Sequence, residues 1–241
     1  MKTLAVIPAR YASTRFPGKP LAMIHGKPMI QWVYERSAAC KAIDEVLVAT
    51  DDERIYNVVS SFDGNVVMTS HNHPSGTDRI QEAVKKWGSL AAIVVNVQGD
   101  EPAMDSTHLG RLVACFDGSV DIATLVTPIR DPKTFNDPNR VKAVLARNGR
   151  ALYFSRAGIP FHRGEDSNLE NCFQHIGVYA YKREVLEAIC NLPPSPLEIK
   201  ESLEQLRWME NGYVVQAAIV DEAAIGVDTP EDLERVRDML R

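Results

Sequence analysis

The chain has 241 residues, 45% of them hydrophobic, enough to bury a large α/β core without requiring a second independent domain. Its formal net charge of -5, from 27 Lys and Arg against 32 Asp and Glu, speaks against a nucleic-acid backbone as partner, since such binders present a broad basic face. No apolar run is long enough for a membrane-spanning helix and Met1-Lys2-Thr3 leads straight into a strand without a signal-peptide pattern, so the expected location is the cytoplasm.

Residues 3–7 read as a buried strand, apolar apart from Thr3, which Pro8 is expected to stop by removing a backbone donor. The loop that follows is a phosphate cradle in outline. Arg10, Arg15 and Lys19 supply fixed positive charge, Ser13 and Thr14 supply hydroxyls, and Gly18 lets the backbone approach an anion. A nucleoside triphosphate would suit it, although solvated cations on an ordinary surface loop have the same composition. It is not a Walker loop, because Gly18-Lys19 is followed by Pro20.

Next in order the periodicity predicts a helix over 28–40, a strand over 45–50, a helix over 52–61 capped by Asp51 or Asp52, a strand over 65–68, a helix over 77–86 and a strand over 91–97. Asp105 or Ser106 can cap a further helix to about residue 116. This alternation predicts a mainly parallel sheet with helices on both faces. Ser75-Gly76-Thr77-Asp78-Arg79 opens a helix whose free amides and hydroxyls could bind a base edge or a phosphate, or could simply cap it. His71 and His73 just before it read as surface histidines, with no further ligand cluster nearby. The strand over 91–97 runs into Gln98-Gly99-Asp100-Glu101-Pro102, placing Asp100 beyond a strand's carboxyl end, where ligands gather in open α/β sheets; turn formation is the other reading.

After Asp121 the pattern changes to strands without regular intervening helices, over 122–126, 141–145, 151–154 and 173–181, with an exposed loop over 162–171. Arg156 follows a strand and could pair a carboxylate. His175 and Tyr179 stand on alternate positions with Gly177 between, hence on one strand face, where they could bind hydroxyls or be satisfied within the protein. A helix over 197–210 would bury Ile199, Leu203 and Leu206, with Glu204 and Gln205 beside that stripe. A strand over 214–220 precedes a last helix capped by Thr229, with Pro230 in its first turn and Leu233, Val236 and Leu240 as its buried stripe. Since Thr229 fills the cap, Asp228 is a candidate ligand; magnesium takes hard oxygen donors and commonly only one or two protein carboxylates. The four cysteines lack Cys-x-x-Cys spacing and predict reduced, mostly buried thiols.

From Ile7 to Leu233, the opening loop and residues 75–79, 98–102, 153–156, 175–179, 204–207 and 227–233 resemble, in order, the 3-deoxy-manno-octulosonate (Kdo) cytidylyltransferase family. Departures are mild: Phe16 stands where the family often has Leu, and the 162–171 loop is a region of variable length. The resemblance implies a three-layer α/β/α nucleotidyltransferase, similar to nucleotide-diphospho-sugar transferases, with a mostly parallel central sheet. Its nucleotide-binding half would span 1–120, a β-rich acceptor and dimerisation insert 121–195, and a C-terminal return to the main sheet 196–241. The implied reaction joins CTP and Kdo into CMP-Kdo and pyrophosphate, with Mg²⁺, in lipopolysaccharide synthesis. The implied catalytic residues are Arg10, Lys19, Asp100 and Asp228, the two aspartates holding the metal. The nucleotide would meet Ala9, Arg10, Ser13, Arg15, Lys19, Ser75, Gly76, Thr77 and Arg79, and the sugar Gln98, Arg156, His175, Tyr179, Glu204 and Gln205. A cytoplasmic homodimer is implied, with no nucleic-acid or membrane partner. Two related acceptors stay open, 8-amino-Kdo and sialic acid, the latter disfavoured because Tyr11-Ala12-Ser13-Thr14-Arg15 stands where its synthetases carry a Gly-Gly-Ser-Lys-Gly-like run. A non-catalytic nucleotide sensor could lose the aspartates, and both are present.

Overall fold

The computed structural model describes residues 1–12, 16–163 and 168–241, so Ser13, Thr14, Arg15 and the middle of the 162–171 loop lie outside the described residues. The chain forms two units, one of residues 1–110 with 224–241 and one of residues 111–223.

In the first unit β1 (Thr3–Ala9) is buried along nearly its whole length and runs through Pro8, which was expected to end it. Val6 accepts from the Val97 N–H, so the even positions of β1 address the strand on that side, and the donor Pro8 lacks falls beyond the last residue paired there. A short 3₁₀ turn, Lys19–Leu21, and a hairpin of β2 (Met23–Ile24) and β3 (Lys27–Pro28) lead to α1 (Met29–Ala38). Then come β4 (Glu45–Thr50), α2 (Glu53–Ser61), β5 (Val66–Met68), α3 (Gly76–Trp87), β6 (Ile93–Asn96) and α4 (Ser106–Ala114), within which the unit boundary falls. The predicted caps are in place. Asp52 accepts from the Arg54 N–H at 2.9 Å, Ser75 from that of Asp78 at 3.2 Å, and Asp105 from that of Thr107 at 2.8 Å.

The strands β5, β4, β1 and β6 pair in that order, every pair parallel. Right-handed crossovers put α1 and α2 on one face, where the chain steps outward from β1 to β5, and α3 on the other, where it returns to β6. The expected mixed α/β fold with a largely parallel sheet is therefore present. Because the strands are parallel, their carboxyl ends share one edge. Arg10 follows β1, Asp51 follows β4 and the 97–102 segment follows β6 along that edge.

The second unit is built from β7 (Ile122–Pro128), α5 (Pro132–Asn136), β8 (Lys142–Leu145), β9 (Ala151–Ser155), β10 (Phe173–Lys182), α6 (Arg183–Ile189), α7 (Pro196–Glu201), α8 (Glu204–Glu210) and β11 (Val215–Ile219). Strand β10 runs antiparallel to β7 and β8, β9 antiparallel to β8, and β11 parallel to β7. Helix α5, between β7 and β8, corrects the expectation of strands without intervening helices, and α6, which follows β10, was not foreseen. Asp131 accepts from the Thr134 N–H at 2.9 Å with Pro132 in the first turn, so Asp131 caps α5.

The single helix expected over 197–210 is two. Ser202 turns left-handed at φ 52° and ends α7, and the Arg156 side chain takes the carbonyls of Glu201 and Ser202 at 2.7 and 3.2 Å, replacing the amide donors of a continuing helix. Leu203 and Leu206 are buried as expected, whereas Ile199, on the far side of the break, is 68% exposed.

Helix α9 (Pro230–Met239) belongs to the first unit. Thr229 caps it in a capping box with Asp232, and Leu233, Val236 and Val227 bury against Ile24 and Met29, with Leu240 partly buried at the margin. Among the described residues no helix is long and apolar enough to cross a membrane. Among the described residues no disulfide joins the cysteines, and with Cys40 and Cys172 buried and Cys115 and Cys190 intermediate the thiols are less uniformly buried than expected.

Candidate active site

The site in the first unit begins with Gly18, whose φ of 72° favours glycine and whose missing Cβ would stand only 3.0 Å from the Tyr11 ring. Its N–H donates to the Tyr11 carbonyl at 2.9 Å, and it precedes the 3₁₀ turn that carries Lys19. Lys19 is 14% exposed, and its ammonium lies 2.7 Å from Asp100 Oδ2 and 3.4 Å from Asp228 Oδ1. Two carboxylates 128 positions apart in the chain thus converge on one cation. They are brought together by the Val227 N–H, which donates to the Asp100 carbonyl at 2.8 Å, and by the burial of Val227 and the α9 stripe against Ile24 and Met29.

Two hard oxygen donors gathered around a positive charge suit a magnesium ion, for which substrate phosphates would supply further ligands. Among the described residues there is no cluster of three or more His, Cys, Asp or Glu that could cage a metal unaided. Glu101, not singled out in the sequence, lies next in the chain; burial and then the neighbouring Asp100 charge push its carboxyl up to about 8, so Glu101 is largely protonated at neutral pH. Gly99 packs against β1 so closely that a Cβ would stand 3.0 Å from the Pro8 carbonyl.

The other nucleotide candidates sit near the same sheet edge. Ala9 ends β1 buried, Arg10 is exposed and donates to the His73 carbonyl at 2.8 Å, and Ser75, Gly76 and Thr77 form the start of α3, with Thr77 buried. Arg79 is fully buried and its guanidinium binds Asp51 and Thr69 at 2.6 Å each, tying α3 to the ends of β4 and β5. His73, expected at the surface, is half-buried against Glu82.

In the second unit, Arg156 donates through Nε to the Glu201 carbonyl, through Nη2 to that of Ser202 and through Nη1 to that of Pro138, at 2.7, 3.2 and 3.1 Å. Of its five N–H donors, at most two are left for a ligand. Glu201 escaped the sequence reading, yet its carboxylate accepts from the Ser155 hydroxyl at 2.6 Å and the Arg156 N–H at 2.9 Å. Lys142, also missed, is fully buried and donates to the carbonyls of Asp137, Arg140 and Arg156, the last at 2.7 Å.

Strand β10 shifts register between Ile176 and Tyr179, and the Thr124 hydroxyl fills the bulge, donating to the Ile176 and Val178 carbonyls at 3.2 and 2.9 Å and meeting His175 Nε2 at 3.0 Å. The His175 and Tyr179 rings nevertheless keep to one side, with centroids 5.4 Å apart. Burial holds the His175 imidazole down at about 3, and burial together with the Tyr181 and Glu204 charges raises the Tyr179 phenol well above its usual range. Tyr179 also packs edge-on to Trp208, with centroids 5.1 Å apart. Glu204 pairs Arg207 at 2.7 Å, while Gln205 is buried and its Nε2 has no partner among the described residues, a donor that an incoming ligand would satisfy. Gln98 lies in the first unit, partly buried, in the turn after β6.

The cytidylyltransferase family profile matches residues 4–222. The chain is 51% identical over 249 residues to the 3-deoxy-manno-octulosonate cytidylyltransferase of Bacteroides thetaiotaomicron, covering all of this chain and 99% of that protein. It is 49% identical over 237 residues to the 8-amino-3,8-dideoxy-manno-octulosonate cytidylyltransferase of Shewanella halifaxensis, covering 97% of this chain and 96% of that one. A solved structure of CMP:2-keto-3-deoxy-manno-octonic acid synthetase complexed with CTP superposes with a TM-score of 0.94 at 43% identity, covering all of this chain and 98% of the other. The 4-diphosphocytidyl-2C-methyl-D-erythritol synthase of Anaerococcus prevotii, with a TM-score of 0.64 at 12% identity over 99% of this chain and 98% of that one, shares the fold alone. With the resemblance carried by the opening loop, the 98–102 turn and the 227–233 segment matched along the full length, the chain belongs to the 3-deoxy-manno-octulosonate cytidylyltransferase family.

Proposed function

We propose that the protein transfers the cytidylyl group of CTP to the anomeric hydroxyl of Kdo, giving CMP-Kdo and pyrophosphate. The observation that carries this reading is the convergence of Asp100 and Asp228 on Lys19 at the carboxyl edge of the parallel sheet. Lys19 and Arg10 hold the triphosphate, and the start of α3 from Ser75 to Thr77 offers amides and hydroxyls to the cytidine. The anomeric oxygen forms its bond to the α-phosphorus as the bond to the β-phosphate oxygen breaks in line, pyrophosphate leaving and the hydroxyl proton passing to solvent. Asp100 and Asp228 would hold a Mg²⁺ ion, which when bound would supply charge neutralisation at the phosphate and make the hydroxyl more acidic. Arg79 acts from within, holding the frame of the nucleotide loop. Gln98, Arg156, His175, Tyr179, Glu204 and Gln205 select the sugar acid, Gln205 through its unpartnered amide and His175 as a neutral imidazole.

A homodimer with 121–195 contributing to its interface, and a cytoplasmic step of lipopolysaccharide synthesis, complete the proposal. The 49% identity to the Shewanella halifaxensis protein favours a second reading in which 8-amino-Kdo is the acceptor. Pyrophosphate release from each of the four nucleoside triphosphates, against Kdo, 8-amino-Kdo and sialic acid, separates the readings. CTP with Kdo is expected to dominate; preference for the amino sugar installs the second reading, and release with neither octulosonate overturns both.

A further inference from the structure

One face of α3 holds the segment after β5 residue by residue. Lys86 Nζ donates to the Met68 carbonyl at 3.0 Å, Arg79 Nη1 to the Thr69 hydroxyl at 2.6 Å, and Glu82 Oε2 accepts from the Ser70 N–H at 2.9 Å and from the His73 ring. Glu82 Oε1 also pairs Lys86 at 2.7 Å. Partial burial works to raise the Glu82 carboxyl, but the bonds from Lys86, His73 and Ser70 outweigh it and bring it to about 2, so it is a fixed anion. Arg79, one helical turn earlier, is fully buried, so Glu82 projects from a part of the helix that is itself pinned.

The chain of contacts does not end at His73. Its carbonyl accepts from Arg10 Nη2 at 2.8 Å, and Arg10 is otherwise an exposed, rotamer-rich side chain on the loop after β1. An arginine left to wander must lose that freedom each time it meets a phosphate, whereas one held by a fixed carbonyl has lost part of it beforehand.

We propose that Glu82 and His73 are positioning residues for the reaction: Glu82 fixes the His73 ring, and the His73 carbonyl thereby sets the Arg10 guanidinium for the nucleotide's triphosphate. This rests on the reading of Arg10 as a triphosphate ligand, and the test separates the two. CTP affinity is measured calorimetrically with Mg²⁺ for the full chain, for Arg10→Ala, for Glu82→Gln and for the double variant, with thermal midpoints recorded for each. Losing a charge-assisted contact, Arg10→Ala is expected to weaken CTP about tenfold to a hundredfold. Glu82→Gln keeps the side chain's shape and is expected to weaken CTP several-fold, and the double variant to bind no more weakly than Arg10→Ala alone, as groups acting through one contact do. His73→Gln in the same cycle serves if Glu82→Gln does not fold. Wild-type affinity in Glu82→Gln, or effects that add fully in the double variant, overturns the positioning role while leaving Arg10 as a ligand. An unchanged affinity in Arg10→Ala overturns both.

Discussion

Arg156 and His175 show how far a residue's neighbours change what its type suggests. As a cation after a strand, Arg156 reads as a ligand for a sugar carboxylate, but three of its nitrogens already bind carbonyls, two of them at the end of α7 and the third that of Pro138. Replacing it by Ala should therefore have two separable effects. The Michaelis constant for the sugar acid should rise by about tenfold or more with CTP binding little changed, and the thermal midpoint should fall, since a charged hydrogen bond is worth about 1.5–3 kcal/mol. A loss confined to CTP affinity would remove Arg156 from the acceptor side. His175 is held down at about 3 by burial, whereas in the unfolded chain it protonates near 6.5. Between those values the unfolded state binds the extra proton, so its contribution to stability is complete above pH 6.5 and drains as pH falls towards 3, at up to about 1.4 kcal/mol per pH unit. Nitrogen NMR of the ring should show a neutral imidazole from pH 8 to pH 5; a titration midpoint near 6 would contradict that burial.

At the scale of elements, the 98–102 turn depends on how closely it approaches β1. Gly99→Ala would put a methyl 3.0 Å from the Pro8 carbonyl, in the central strand of a parallel sheet that has little room to yield. Turnover should fall by on the order of tenfold or more, as a misplacement of Asp100 by about an ångström demands, with a stability loss of about 1–3 kcal/mol. Full activity in that variant would show that the turn tolerates displacement. Most of the first unit was legible because its signals are local: continuous apolar runs for β1 and β4, and cap residues for α2, α3 and α9. Helix α5 announced itself by Asp131-Pro132, and α7 by Ser195-Pro196 with Glu198, signals open to a closer reading. The break at Ser202 was not legible, because part of its cause is the side chain of Arg156, 46 positions earlier. The same holds for Glu82, an ordinary helix-face carboxylate in sequence whose partners at Ser70 and His73 appear only once the chain turns back.

For the molecule as a whole, the decisive step is the meeting of Asp100 with Asp228. Sequence marked each aspartate by its place, one after a strand and one before a capped helix, but no local pattern joins positions so far apart. Burial of α9 against Ile24 and Met29 does so, with the Val227 to Asp100 bond fixing the register. The most direct test of the proposed catalytic centre is turnover of CTP and Kdo across a Mg²⁺ titration for Asp100→Asn, Asp228→Asn and the double variant, with circular dichroism confirming the fold. Each single variant should lose on the order of a hundredfold or more in turnover while still binding CTP, and the double variant should lose little further, since residues acting as a unit do not add. Near-normal turnover at ordinary Mg²⁺ in either folded single variant would contradict a two-aspartate metal centre.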